Sequence, residues 1–118
     1  MELLEETMSL SFDFSDDQNM MRDAIQTFCK EEIAPLVEEA EEKQEFPSQL
    51  FPKMAEMGFL GICFEEKYGG LGLDKVTQCI LAEELGKTCA GIAKGVAAHV
   101  DLGSLPVAKF GTEDQKQK

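Results

Sequence analysis

The stretch that decides the fold is Gly58-Phe-Leu-Gly-Ile-Cys-Phe-Glu-Glu-Lys-Tyr-Gly-Gly-Leu-Gly-Leu-Asp74. It contains five of the ten glycines and the only tyrosine of the chain, and it is the one long interval without helical periodicity. On both sides of it, apolar residues recur at the spacing of a helix. Two interpretations compete for this stretch: a backbone device that turns the chain between two helical halves, or a loop that cradles a ligand.

The glycine loop departs from the dinucleotide-binding fingerprint G-x-G-x-x-G. The sixth position of that pattern is Asp74 when the count begins at Gly69 and Lys75 when it begins at Gly70. Both flanks predict helices, whereas the fingerprint needs a strand before the loop. A tight connection with positive φ at glycines is therefore favoured, with the phosphate cradle kept as the alternative.

Upstream of the loop, the sequence predicts helices whose boundaries are marked by caps and prolines. Ser15 and Gln18 have the spacing of a capping box, in which each side chain bonds the other residue's backbone N–H. Pro35 should kink or restart the first helix. Pro52 falls in the first turn of the next helix, which Gly58 should end. The buried faces are expected to consist of Met21, Ala24 or Ile25, Phe28, Leu36, Val37, Ala40, Leu50, Phe51, Met54 and Met57.

Downstream of the loop, Asp74 should cap a helix that Gly86 ends, with its buried face formed by Val76, Cys79 or Ile80, and residues 83–85. The pair Glu83 and Glu84 is interpreted as surface charge. Thr88 should cap a further helix, Cys89 to Gly103, that is rich in small side chains. Its Gly91 and Gly95 lie four apart and share a face, so another helix or a ligand should approach that face closely.

The C-terminal residues predict a short helical turn from Pro106 to Phe110, ended by Gly111. Thr112-Glu-Asp-Gln115 is then a second capping box, only three residues before Lys118. A helix start with so little helix after it suggests a chain cut within a structural element. A frayed tail that resembles a cap is the alternative.

Composition and charge restrict the function classes. The net charge of −12 is poorly suited to nucleic acid or anionic membranes, because phosphate binding requires Lys and Arg. No apolar run approaches the roughly 20 residues of a membrane span. The acidic N-terminus resembles neither a secretory signal nor a transit peptide. We therefore expect a cytoplasmic protein that is not secreted, and the family resemblance given below adds a mature protein of the mitochondrial matrix as the alternative.

The reactive side chains do not form a catalytic or metal-binding pattern. Cys29, Cys63, Cys79 and Cys89 include no C-x-x-C pair and are expected to be buried free thiols. His99 is the only histidine, so no metal site is predicted. No dyad or triad can be assembled, so no catalytic residue is assigned. The prediction from the residues alone is a single, acidic, all-α domain over 1–118 with residues 1–12 flexible.

The order of these pieces resembles one family, the acyl-CoA dehydrogenases, in their N-terminal helical domain. The resemblance covers about Phe12 to Lys118, and no single motif in it is diagnostic. Its specificity lies in seven motifs in the right order and spacing: Phe14-Ser-Asp-Asp-Gln18, Phe28-Cys-Lys-Glu-Glu-Ile-Ala-Pro35, Phe46-Pro47, Met57-Gly-Phe-Leu-Gly-Ile62, Tyr68-Gly-Gly-Leu-Gly-Leu73, Glu83-Glu-Leu-Gly86 and Lys109-Phe-Gly-Thr-Glu-Asp-Gln-Lys116.

The resemblance implies an orthogonal or up–down bundle of about five to six helices. It also implies a part of an FAD flavoprotein of fatty acid metabolism. Family members remove two hydrogens from the α and β carbons of an acyl-CoA thioester and pass electrons to an electron-transfer flavoprotein. Their glutamate base and most flavin contacts belong to a middle β-domain and a C-terminal helical domain, before which this chain ends. The chain by itself should then be inactive and bind no FAD, and its cofactor-binding residues stay unassigned.

The resemblance also implies that the helix from Cys89 to Leu102 lines the deep end of the acyl pocket. The substrate-binding residues predicted on this basis are Ala90, Gly91, Ala93, Lys94, Val96, Ala97 and Ala98. Lys94 suggests an acidic acyl tail, although a solvent-facing lysine is the simpler interpretation. The pattern from Ala98 to Leu102 is more similar to branched- or short-chain members, and the choice stays open.

A function of another class is the alternative. A stand-alone helical protein derived from such a domain would use an exposed apolar face to bind a partner or to oligomerise. Either interpretation predicts self-association, because a domain without its neighbours exposes apolar surface.

Overall fold

A computed structural model describes residues 10–118, and within this range every regular element is helical. Residues 1–12 were predicted to be flexible, and residues 1–9 of this segment lie outside the described residues. The α-helices are α1 (Asp16–Phe28), α2 (Ala34–Lys43), α3 (Leu50–Glu56), α4 (Lys75–Thr88), α5 (Ala90–Ala97), α6 (Leu105–Phe110) and α7 (Glu113–Gln117). The π-helical segments Cys29–Ile33 and Ala98–Ser104 join α1 to α2 and α5 to α6. Five continuous helices result among the described residues, and the all-α prediction is confirmed.

The predicted capping boxes are both present. The Ser15 hydroxyl accepts from the Gln18 N–H at 3.2 Å, and the Gln18 side chain accepts from the Ser15 N–H at 2.9 Å. Thr112 and Gln115 form the same reciprocal pair at the start of α7. Asp74 caps α4 by accepting from the Thr77 N–H at 2.8 Å. The Gln18 amide also donates to Asp74 at 3.0 Å, so the N-termini of α1 and α4 are tied together.

Pro35 disturbs the first helix without ending it. Proline has no N–H, so the helical bond expected from residue 35 to residue 31 cannot form. The turn before it widens, and the Ala34 N–H bonds the Cys29 carbonyl, five residues back. The predicted kink or restart therefore takes the form of a π-helical segment, which turns Cys29 and Ile33 into the core.

The core lies where α4 packs against both α1 and α5. Phe28 meets Phe59 edge to face, with ring centroids 5.3 Å apart. The buried apolar side chains are Ile25, Phe28, Cys29, Ile33, Leu50, Met54, Phe59, Ile62, Ile80, Leu81, Leu85, Ile92, Val96 and Val100. Most buried faces were predicted at the right helices, since they follow from helical periodicity.

Several members of those faces were predicted wrongly. On α4, Val76 is 45% exposed, and Thr77 is buried in its place. Of the predicted alternatives Cys79 and Ile80, Ile80 is the buried one and Cys79 is exposed. On α3, Met57 is 45% exposed because it follows the end of the helix and leaves its inner stripe. Of the four predicted buried thiols, only Cys29 is buried.

The predicted helix boundary at Gly86 and Thr88 is also wrong. Helix α4 continues through Gly86 to Thr88, whose hydroxyl donates back to the Glu84 carbonyl at 3.1 Å. The break comes at Cys89, whose extended backbone begins α5 without a side-chain cap. Glycine weakens a helix but does not have to end it.

Glu84 is buried, as its place in the predicted face 83–85 implies, and in contrast to the surface role predicted for the pair Glu83 and Glu84. One of its oxygens accepts from Arg22 at 3.4 Å, Gln26 at 3.2 Å and Lys87 at 3.3 Å. Burial raises the pKa of Glu84, but bonds from Gln26, Lys87 and Arg22 outweigh it and hold the pKa below its ordinary value of 4.5. The ionised carboxylate therefore joins α4 to α1.

Candidate functional site

The glycine loop offers no free row of backbone donors for a phosphate. Five successive N–H groups, from residue 69 to residue 73, bond carbonyl oxygens of the loop itself. The bonds are Gly69 to Glu66 (2.9 Å), Gly70 to Glu65 (3.1 Å), Leu71 to Gly61 (2.9 Å), Gly72 to Phe64 (2.9 Å) and Leu73 to Ile62 (2.7 Å). A phosphate cradle needs such groups directed at the ligand. Neither a simple phosphate nor the pyrophosphate of FAD fits this loop.

Close approach of the backbone explains the glycines instead. A Cβ on Gly70 would lie 2.1 Å from the Phe64 carbonyl oxygen, and one on Gly61 would lie 3.3 Å from the Gly70 Cα. Gly58 ends the helical turn after α3 with φ +78°, as predicted. The loop folds back on itself and delivers the chain from α3 to α4, so the backbone-device interpretation is the one the geometry supports.

The small-residue helix α5 presents an open outer side next to its buried stripe. Ile92, Val96 and Val100 face the core. The predicted pocket residues are divided between these environments: Ala90, Gly91 and Lys94 are exposed, Ala93, Ala97 and Ala98 are half-buried, and Val96 is buried. Val96 therefore supports the helix from inside, while the other six are open to the surface in part or fully.

An aromatic row borders this helix on one side, and the sequence did not predict it. A Cβ on Gly95 would lie 2.7 Å from Phe46 Cε2, so the glycine leaves room for the Phe46 ring. Phe46 stacks on Phe51 with centroids 5.2 Å apart, and Phe51 lies 6.1 Å from the His99 ring. The close approach predicted for the face of Gly91 and Gly95 thus occurs at Gly95, where the Phe46 ring of this chain makes it. A Cβ on Gly91 would have only Cys89 Sγ as a neighbour, at 4.0 Å.

The polar groups near this surface are few. Lys94 is exposed and forms no ion pair with any residue in the described range. On the side toward α4, the Gln78 amide donates to Asp101 at 2.9 Å. We define the outer α5 surface as Ala90, Gly91, Lys94, Ala97 and Ala98. This surface is thus small and uncharged except at Lys94.

Beyond the outer α5 surface, the helix continues into an apolar arm. Leu102 is 72% exposed, Val107 41% and Phe110 87%. Where exposed apolar side chains form one contiguous patch, that patch is a candidate surface for another polypeptide.

The thiols and the metal-ligating residues add no second site. Burial raises the pKa of the Cys29 and Cys63 thiols, which makes both poor nucleophiles. Across residues 10–118, no three His, Cys, Asp or Glu side chains are grouped to hold a metal ion. Nor does any helix in this range have the length and apolar character needed to cross a membrane.

Comparison with known proteins gives one consistent result. The family model described as "Acyl-CoA dehydrogenase, N-terminal domain" matches residues 15–118. A probable acyl-CoA dehydrogenase of Bacillus subtilis (YngJ) is 44% identical over 108 residues, which are 92% of this chain and 28% of that protein.

Two solved structures are similar in both sequence and fold. One is a chain from the structure of the electron transferring flavoprotein of Acidaminococcus fermentans, with a TM-score of 0.87 and 41% identity over 92% of this chain and 28% of that one. The other is the butyryl-CoA dehydrogenase of Megasphaera elsdenii, with a TM-score of 0.84 and 34% identity over 92% and 29% of the two chains. The present chain thus spans somewhat more than a quarter of the length of these relatives.

Proposed function

Because the chain belongs to the acyl-CoA dehydrogenase family and matches its N-terminal domain, we propose that it supplies one wall of the acyl pocket in an FAD-dependent acyl-CoA dehydrogenase. The whole enzyme would carry out α,β-dehydrogenation of an acyl-CoA thioester. The outer α5 surface supports this role, because its small side chains leave room for an acyl chain. The space beside Gly95, in contrast, is already occupied by the Phe46 ring. Within this surface, Lys94 is the one charged group able to meet an acidic acyl tail.

The flavin and the base would come from outside the described residues. The glycine loop does not fit a pyrophosphate, and the described carboxylate near the outer α5 surface, Asp101, accepts a hydrogen bond from the Gln78 amide. The chain by itself is therefore proposed to be inactive and to hold no FAD. Purified protein should show neither flavin absorbance nor acyl-CoA-dependent dye reduction, and turnover would contradict the proposal.

The electron acceptor of the whole enzyme is proposed to be an electron-transfer flavoprotein. The support is the similarity to a chain from the Acidaminococcus fermentans structure. A cytoplasmic or mitochondrial-matrix location remains a prediction from the sequence.

A chimaeric enzyme tests the pocket role directly. Residues 10–118 would replace the matching segment of the 44% identical Bacillus subtilis relative, so that the remaining domains supply what this chain lacks. We expect an FAD-containing, active enzyme in which Ala98→Trp lowers kcat/KM for longer acyl-CoA substrates more than for short ones. The matched control is Ala55→Trp on the exposed side of α3, which should leave this ratio unchanged. Equal effects of the two substitutions in a flavin-loaded enzyme would refute the assignment of the pocket.

A stand-alone interaction protein is the second candidate, and the exposed apolar arm favours it. Leu102 and Phe110 would then mediate self-association. Light scattering should give a mass above 13.0 kDa that falls when both residues are replaced by serine. A monomeric wild-type chain would argue against this candidate, and an in-frame continuation of the gene beyond the Lys118 codon would favour the enzyme.

A further inference from the structure

Helix α7 buries none of its residues Glu113–Gln117. The capping box at Thr112 satisfies the first N–H groups but does not hold the helix against the rest of the molecule. A contact elsewhere has to supply its position.

Tyr68 supplies that contact from the glycine loop. Its hydroxyl donates to the Glu113 carboxylate at 2.7 Å, across 45 positions of sequence. Lys116, one helical turn after Glu113, has its Nζ 5.9 Å from the centre of the Tyr68 ring. Glu113 and Lys116 stand on the same side of α7 because residues three apart are neighbours on a helix. A charge-assisted hydrogen bond and a cation–π contact thus meet on one aromatic side chain.

The loop is a firm base for this tyrosine. Tyr68 ends a 3₁₀ turn, Glu66–Tyr68, and Gly69 follows with φ +89°, a conformation that favours glycine. The next N–H groups are bonded within the loop, as described above. The Tyr68 side chain is half-buried and Lys67 packs on its ring, with Nζ 4.8 Å from the centre.

We propose that Tyr68 is a latch that fixes α7 to the glycine loop. Helix α6 continues α5 through the π-helical segment Ala98–Ser104, so its direction is set from that end, and Gly111 and Thr112 alone separate it from α7. The latch therefore holds the chain beyond the end of that continuous helix. The glycine loop then has a second structural role besides the reversal between α3 and α4.

Hydrogen exchange of the Lys116 amide tests the latch, because this N–H bonds the Thr112 carbonyl at 3.0 Å only while α7 is formed. In the full chain, Tyr68→Phe removes the donor and keeps the ring. We expect it to speed Lys116 exchange about three- to tenfold, as the loss of one hydrogen bond of ordinary net strength at an exposed site predicts. Glu113→Ala should have a similar effect, and the double variant should exchange no faster than the faster single variant.

Asp114→Ala is the matched control. Asp114 and Glu113 both add negative charge to the first turn of α7, but only Glu113 bonds Tyr68. Asp114→Ala should therefore change Lys116 exchange by less than about twofold, the size of a small dipole effect. Unchanged exchange in Tyr68→Phe, additive effects in the double variant, or an equal effect of Asp114→Ala would each overturn the proposal.

Discussion

Replacing Gly70 by alanine isolates the close backbone approach within the glycine loop. Gly70 is not among the glycines with positive φ, so alanine has no conformational reason to be excluded there. The new Cβ, however, would lie 2.1 Å from the Phe64 carbonyl oxygen and 2.9 Å from the Gly61 oxygen. Both neighbours are backbone atoms, so no side-chain rotation can relieve the contact.

The size of the effect follows from what must move. To admit the methyl group the loop has to open, which weakens the bonds from Leu71 to Gly61 and from Gly72 to Phe64. Each is worth about 1 kcal/mol of net stability, and overpacking adds about 1–3 kcal/mol. We expect the free energy of unfolding to fall by about 3–5 kcal/mol, a large part of the roughly 5–15 kcal/mol of a typical domain.

Urea unfolding followed by helical circular dichroism measures this loss. With a slope of about 1–3 kcal/mol per molar urea, the midpoint should fall by about 1 M or more. Gly86→Ala is the control, because Gly86 lies inside α4, is exposed, and would have no neighbouring atom within 4 Å of an added methyl group. It should raise stability by about 0.5–1 kcal/mol. If Gly70→Ala stayed within about 0.5 kcal/mol of the wild type, a shift ordinary for surface substitutions, the backbone-device reasoning would be refuted.

Three further predictions use other contacts. Gly95→Val should displace the Phe46 ring, which would lie 2.7 Å from a Cβ at this position, and lower the free energy of unfolding by about 1–3 kcal/mol. Gly91→Ala, whose Cβ would have its nearest neighbour at 4.0 Å, should leave the free energy of unfolding unchanged or raise it by up to about 1 kcal/mol. Equal urea midpoints for the two variants would contradict this prediction. Because the folded pKa of Glu84 lies below its ordinary 4.5, its stabilising effect is complete above that pH and is lost as pH falls through the folded pKa. Urea titrations between about pH 6 and about pH 3 should therefore show a smaller loss in Glu84→Gln than in the wild type, and parallel curves would exclude the effect. A disulfide-exchange reagent should label Cys79 in the native chain and leave Cys29 unlabelled until unfolding, because Cys79 is exposed and Cys29 is buried; equal labelling of Cys79→Ser and the wild type would contradict it.

The sequence by itself determined the helices and most of their ends. Ser15, Asp74 and Thr112 act through atoms within three residues of themselves, so their capping roles could be read from local spacing. Gly58 could be assigned for the same reason, since a left-handed residue after a helix is a local requirement. The family resemblance was equally accessible, because it depends on the order of short motifs and not on contacts.

Only the tertiary structure decided which side of each helix is buried and what approaches it. Helical periodicity predicts the buried stripe of a helix only to within about one residue. On α4, which packs between α1 and α5, Thr77 is buried and the predicted Val76 is exposed. Glu84 was taken for surface charge because its partner Arg22 lies 62 positions away. The contact of Phe46 with Gly95 and the hydrogen bond from Tyr68 to Glu113 were not predicted, for the same physical reason. Such contacts depend on where the whole chain folds, and no local pattern records them.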